Sequence, residues 1–172
     1  MMEFEFLVLD FIYNYIKNPF LDFLMPKITA LGNGGLIWIV AAIVILAIPK
    51  YRKSGIALSV GLLACLIIGN LTLKPLVARV RPYEFVEGIK LLISTPTDFS
   101  FPSGHTLSSV VSASILTMAD KRFGYVAIPL AVLIAFSRLY LYVHFLTDIL
   151  GGVVIGAVIS IVIYYIFYRK KA

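Results

Sequence analysis

Charge is scarce in this chain: Asp, Glu, Lys and Arg make up 14% of its 172 residues, where a soluble domain carries about 25%. Together with 60% hydrophobic residues, that deficit excludes an ordinary water-facing domain and points to one polytopic membrane domain. Cysteine occurs once, so no disulfide framework can form within the chain. Cys65, inside "LLACLIIG", reads as a small buried hydrophobe. The net charge is +6, yet the basic residues sit in short groups between apolar runs. No basic face interleaved with polar surface is present, which excludes nucleic acid as a partner. The opening "MMEFEFLVLD" has acidic residues where a cleaved signal would carry positive ones, so no signal peptide is expected. No internal repeat or low-complexity tract is evident.

What the chain does have is apolar length. Five segments are long enough to cross a bilayer: Gly32 to Pro49, Ser54 to Leu73, Ser103 to Ala119, Phe123 to Tyr142 and Phe145 to Tyr168. Each spanning helix needs roughly 17–25 residues. The expected fold is therefore all-α, a transmembrane bundle forming one domain over residues 1–172, with its core at 32–168. The third segment is rich in serine, which suits the interior of the bundle better than lipid. Gly104, Ser108 and Ser112 recur every four residues, as do Gly152, Gly156 and Ser160. Small residues at that spacing let helices approach closely in a membrane.

Residues 1–31 differ. Phe4, Leu7, Val8, Phe11, Ile12, Tyr15 and Ile16 share one helical face, with Glu3, Glu5, Asp10, Asn14 and Lys17 elsewhere. "KNP" at Lys17 to Pro19 breaks the pattern before a second short amphipathic stretch. Two interfacial helices are expected; a broken sixth span is the alternative. If the five spans alternate, "KYRK" at Lys50, "DKR" at Asp120 and "RKK" at Arg169 fall on one face. The positive-inside rule makes that face cytoplasmic, together with the C-terminus. The loop from Lys74 to Pro102 and the turn near Tyr142 to His144 then face outside.

Three groups at that outer face carry unusual residues. In "KPLVARVRP", Lys74 and Arg81 are seven residues apart, so on a helix started at Pro75 and stopped by Pro82 both point the same way. In "PSGH", Ser103 suits an N-cap and Gly104 allows close backbone approach. The group reads either as a plain helix cap beside His105 or as an anion site at the helix start. In "SRLYLYVHFLTD", His144 and Asp148 are four residues apart, within reach on one helix face, with Arg138 ahead of them. A carboxylate on one imidazole nitrogen leaves the other free as a base or nucleophile. Asp148 is also a turn inside an apolar span, where an unpaired carboxylate is costly. Taken jointly, three cations, a helix start and two histidines suit phosphoryl transfer. His144 would attack phosphorus and His105 would protonate the leaving oxygen. Glu84, Glu87 and Asp98 show no ligand spacing and the neighbouring cations would repel a metal, so neither metal nor cofactor is expected.

These three motifs resemble the signature of the type 2 phosphatidic acid phosphatases, the integral-membrane lipid phosphate phosphatases: KxxxxxxRP, PSGH and SRxxxxxHxxxD. Every signature residue is present in order and at the right spacing. The resemblance implies that Lys74, Arg81, Arg138, Ser103 and the Gly104 amide bind phosphate oxygens. It implies further that His105 is the acid, His144 the nucleophile and Asp148 its orienting partner. It also implies a metal-independent enzyme of a bacterial or archaeal-type plasma membrane, working at the outer face on a lipid phosphate or pyrophosphate. Soluble vanadium haloperoxidases share the signature, but five apolar spans argue against that branch. Only 19 residues, Tyr83 to Phe101, separate the first two motifs. Small bacterial members of this shape look like undecaprenyl-pyrophosphate phosphatases, with phosphatidylglycerophosphate and phosphatidate phosphatases as alternatives. A phosphate or lipid transporter is the rival of a different class; oligomeric state is not legible.

Overall fold

The structure, a computed structural model, describes residues 2–169; Lys170 and Lys171 of the terminal basic group lie outside the described residues. Eight α-helices occur among them: α1 (Met2–Phe11), α2 (Pro19–Gly32), α3 (Leu36–Ala47), α4 (Arg52–Ala64), α5 (Lys74–Val77), α6 (Gly104–Ala119), α7 (Lys121–Tyr140) and α8 (Leu146–Phe167). The all-α bundle expected from composition is what forms.

The span count differs slightly from expectation. Among the described residues four helical stretches are long and apolar enough to cross a membrane: Pro19–Ala47, Pro49–Glu84, Lys121–Tyr140 and Leu146–Phe167. The third expected span is α6, only 16 residues long, or about 24 Å at 1.5 Å per residue. It is the central helix, packed against α4, α7 and α8. Ser108, Ser109 and Ser112 are buried there, so the serine content reflects an interior position. The small residues of α8 face it: a Cβ on Gly152 would come within 3.0 Å of the Ser103 carbonyl oxygen, and one on Gly156 within 3.0 Å of Val110. Trp38 joins α3 to the same helix, its indole N–H donating to Ser109 Oγ at 2.9 Å.

The first expected span also begins earlier. Its helical run starts at Pro19, with Asn18 capping the Leu21 amide, and bends where Gly34 and Gly35 take φ of 58° and 74°. Only glycine adopts such a pair readily. α2 packs along α7, and α1 lies over the turn between α7 and α8, where Asp10 accepts from the Tyr142 hydroxyl at 2.8 Å. α1 and the π-helical turn that follows it (Ile12–Ile16) point Phe4, Leu7, Phe11 and Tyr15 outward, while α1 buries Glu5. The buried acid was not foreseen from the amphipathic pattern.

At one end of the bundle Tyr51, ahead of α4, donates to Asp120 at 2.9 Å, bringing two of the expected basic connections, at Lys50 to Lys53 and at Asp120 to Arg122, together. The chain reverses there, so the C-terminal end of α4, the start of α6, the end of α7 and the start of α8 meet at the opposite end. That end holds the motifs.

Candidate active site

Lys74 and Arg81 do not share a helix face. α4 widens into π-helical turns over Cys65–Leu73, and α5 ends at Val77. Pro75 brings no amide to this stretch. Ala78 is left-handed at φ 48° and closes the turn with its N–H on the Lys74 carbonyl at 2.9 Å. Arg81 is extended, at φ −83° and ψ 152°, as expected of a residue before proline. The two cations meet instead through Asp98, whose carboxylate pairs with Lys74 and accepts from Arg81 Nη2 at 2.7 Å. Arg81 Nε adds a bond to the Asp98 carbonyl at 2.8 Å. Partial burial acts to raise the Asp98 carboxyl, but Lys74 and then Arg81 overcome it and bring its pKa down to about 2.

Ser103 caps α6: its backbone is extended and its Oγ accepts from the Thr106 amide at 3.4 Å. The Ser103 N–H donates to the Asp148 carbonyl at 3.1 Å, which ties the start of α6 to the start of α8. The first-turn amides of α6, Gly104 among them, point to the same end of the bundle. His105 pairs through Nε2 with Asn33 Oδ1 at 3.0 Å. It passes so close to α2 that a Cβ on Gly32 would lie 2.6 Å from its ring.

His144 is 1% exposed and Asp148 fully buried. His144 Nδ1 faces Asp148 Oδ2 at 3.4 Å, and Arg81 Nη1 lies 3.2 Å from His144 Nε2. Since an arginine can only donate, Nε2 is the acceptor and Nδ1 carries the proton. Burial holds the His144 ring well below the usual imidazole pKa; the Asp148 contact acts against this, while Arg138 and Arg81 reinforce it. Arg138 is buried and gives Nη1 to Thr29 of α2 at 2.7 Å, leaving Nε without a partner among the described residues.

A cavity of about 370 Å³ is lined by Lys74, Arg81, His105, Arg138 and His144. A second, of about 420 Å³, shares Lys74, Asp98, Gly104 and His105 with it and runs on past Ile39, Leu62 and Leu66. A cationic pocket thus adjoins an apolar groove. All eight site residues expected from the sequence come to this end of the bundle. Sequence reasoning missed Asp98, Asn33 and Thr29, and also Arg79 and Ser100, both of which bond to the Asp148 carboxylate. Arg79 lies at a variable position of the first motif and Ser100 just before the second; neither carried a signal of its own.

The profile of the PAP2 superfamily matches residues 54–172. The chain is 33% identical to the undecaprenyl-diphosphatase of Sulfolobus acidocaldarius, covering 86% of this chain and 71% of that protein. It is also 33% identical to the phosphatidylglycerophosphatase B of Bacillus subtilis, covering 82% and 72%. The fold is similar to the crystal structure of a transmembrane PAP2-type phosphatidylglycerolphosphate phosphatase from Bacillus subtilis, with a TM-score of 0.80 at 27% identity over 99% of this chain and 87% of that one.

Proposed function

The chain belongs to the PAP2 superfamily, and from that premise we propose that it hydrolyses the phosphate of a membrane lipid, undecaprenyl pyrophosphate first among the candidates, at the extracytoplasmic face. The carrying observation is the cavity on which Lys74, Arg81, Arg138 and both histidines converge, next to an apolar groove. The head group meets the cations, and the tail follows the groove towards lipid. Lys74, Arg81, Arg138, Ser103 and the Gly104 N–H hold phosphate oxygens and neutralise their charge in the transition state.

His144 Nε2 attacks phosphorus as the bond to the leaving oxygen breaks, and His105 gives that oxygen a proton. Asp148 stabilises the phosphohistidine through Nδ1–H. Water then attacks phosphorus, His105 takes its proton, the N–P bond breaks and phosphate leaves. The two histidines distinguish this reading from transport, which requires neither. Phosphatidylglycerophosphate is the second reading, favoured by an equal identity to the Bacillus subtilis phosphatase.

The test is phosphate release by purified protein in detergent with chelator present, over a panel of lipid diphosphate, phosphatidylglycerophosphate and phosphatidate. Highest kcat/KM on the lipid diphosphate supports the first reading, and highest on phosphatidylglycerophosphate the second. No hydrolysis of any of them contradicts both.

A further inference from the structure

We infer that Arg79 is a positioning residue for the His144–Asp148 pair and that Glu5 of α1 holds it in place, which makes the N-terminal helix a working part of the site. The inference rests on the phosphatase reading above. Asp148 is fully buried, and its Oδ2 accepts from the Phe145 N–H at 2.8 Å, from Ser100 Oγ and from His144 Nδ1. Its other oxygen, Oδ1, accepts from Arg79 Nη1 at 2.6 Å. That nitrogen also reaches Thr147 Oγ1 at 2.6 Å, and Nη2 pairs with Glu5. Glu5, itself 1% exposed, accepts from the Thr147 N–H at 3.2 Å. The guanidinium lies 4.3 Å over the Phe145 ring.

Arg79 lines neither cavity, so phosphate binding is not its task. Its position explains how two requirements are met together. A buried carboxylate needs a cation nearby. If His144 were the only candidate, Asp148 would draw a proton onto it and occupy the lone pair that attack requires. Arg79 supplies the charge and leaves the imidazole neutral. The other charged or titratable groups facing His144 are Lys74 at the start of α5, Arg81 from the loop after it, with Asp98 beyond, Arg138 from α7 and His105 from α6. From α1, Asp10 is taken up by Tyr142 and Glu5 by Arg79. Glu5 lies outside the residues matched by the family profile, so this clamp reaches beyond the matched region.

The experiment compares Arg79→Gln, Arg79→Lys and Glu5→Gln with the unaltered chain and with His144→Ala, measuring kcat, KM and the pH dependence of kcat/KM on the lipid diphosphate. Arg79→Gln is expected to lower kcat by about 10–100-fold, as outer partners of a working histidine do, with KM little changed. It also moves the acid limb of kcat/KM up by about one pH unit, because a cation near the imidazole is gone. Arg79→Lys restores the limb but not the full kcat, since an ammonium cannot reach Asp148, Thr147 and Glu5 at once. Glu5→Gln lowers kcat with KM intact. For any variant that is inactive, histidine-selective 15N NMR in a His105→Gln background reads the His144 titration directly and shows the same upward shift. An acid limb and a titration that stay put, or move down, in Arg79→Gln overturn the inference. A fully active His144→Ala overturns the phosphatase mechanism instead, so the two failures are distinguishable.

Discussion

Asp98 lies against Arg81, with 2.7 Å between Oδ1 and Nη2, and its other oxygen pairs with Lys74. A carboxylate therefore bonds to two of the three cations proposed to receive the phosphate, and the two anions compete for them. With its pKa at about 2, Asp98 stays charged at every pH where the protein would work. As a group with a lowered pKa, it adds stability above the usual carboxylate value, lost as pH falls through about 2. Asp98→Asn is expected to tighten inhibition by vanadate, which mimics five-coordinate phosphorus, about tenfold. Inhibition curves at fixed ionic strength check this; an unchanged or weaker vanadate constant contradicts the competition.

Gly32 lets α2 pass the His105 ring where a Cβ would sit 2.6 Å from Cδ2 and 3.0 Å from Ile134. Gly32→Ala must move the ring, and misplacing a proposed acid by about 1 Å costs on the order of 10²-fold in rate. The overpacking costs about 1–3 kcal/mol of stability. A kcat close to that of the unaltered chain, in protein that stays folded by thermal unfolding, contradicts a tight fit at His105.

His144 is held neutral by burial, with Arg138 and Arg81 adding to the effect. The sign follows: its stabilising contribution is whole above the ordinary imidazole pKa of about 6.5, and it erodes as pH falls below that value. With two histidines in the chain, the His105→Gln variant leaves one 15N-labelled imidazole to observe. The ring is expected to remain neutral, protonated on Nδ1, at pH 5.5. A titration midpoint near 6.5 contradicts the buried, neutral nucleophile.

Arg81 is 1% exposed and bonds at once to Asp98, the Val143 carbonyl and His144. Arg81→Lys keeps a charge but loses the fork. Its loss is expected to raise KM and lower kcat together, by about 10²-fold in kcat/KM, about 3 kcal/mol of transition-state binding. A change in KM alone contradicts a contact to the reacting phosphate.

Much of this end of the bundle was legible in the sequence because its signals are local. Ser103 before a helical run reads as a cap, and His144 and Asp148 do meet, though not on one helix face: His144 lies in the turn before α8, and Asp148 in the first turn of that helix reaches back to it. The alternating apolar runs bring all three motifs to one end. Local signals run out where the backbone departs from regular geometry or where contacts are long-range. A helix from Pro75 to Pro82 looked natural from proline placement, but Ala78 turns left-handed and the two cations meet through Asp98, 24 residues beyond Lys74 in sequence. Glu5 looked like the polar side of an interfacial helix; its partner Arg79 is 74 residues away, which no periodicity reveals. α6 has the bounds expected from the sequence, with Ser103 as its cap; it is short for a span because a helix enclosed by its neighbours need not match the full thickness of a bilayer.

The central claim, that His144 becomes covalently phosphorylated, is tested most directly by rapid quench of the purified protein with lipid diphosphate labelled at the terminal phosphate. Acid-labile, base-stable label on the protein that decays as phosphate appears, and that is absent in His144→Ala, is the expected result. Steady turnover by His144→Ala, or the same label appearing in that variant, would contradict it.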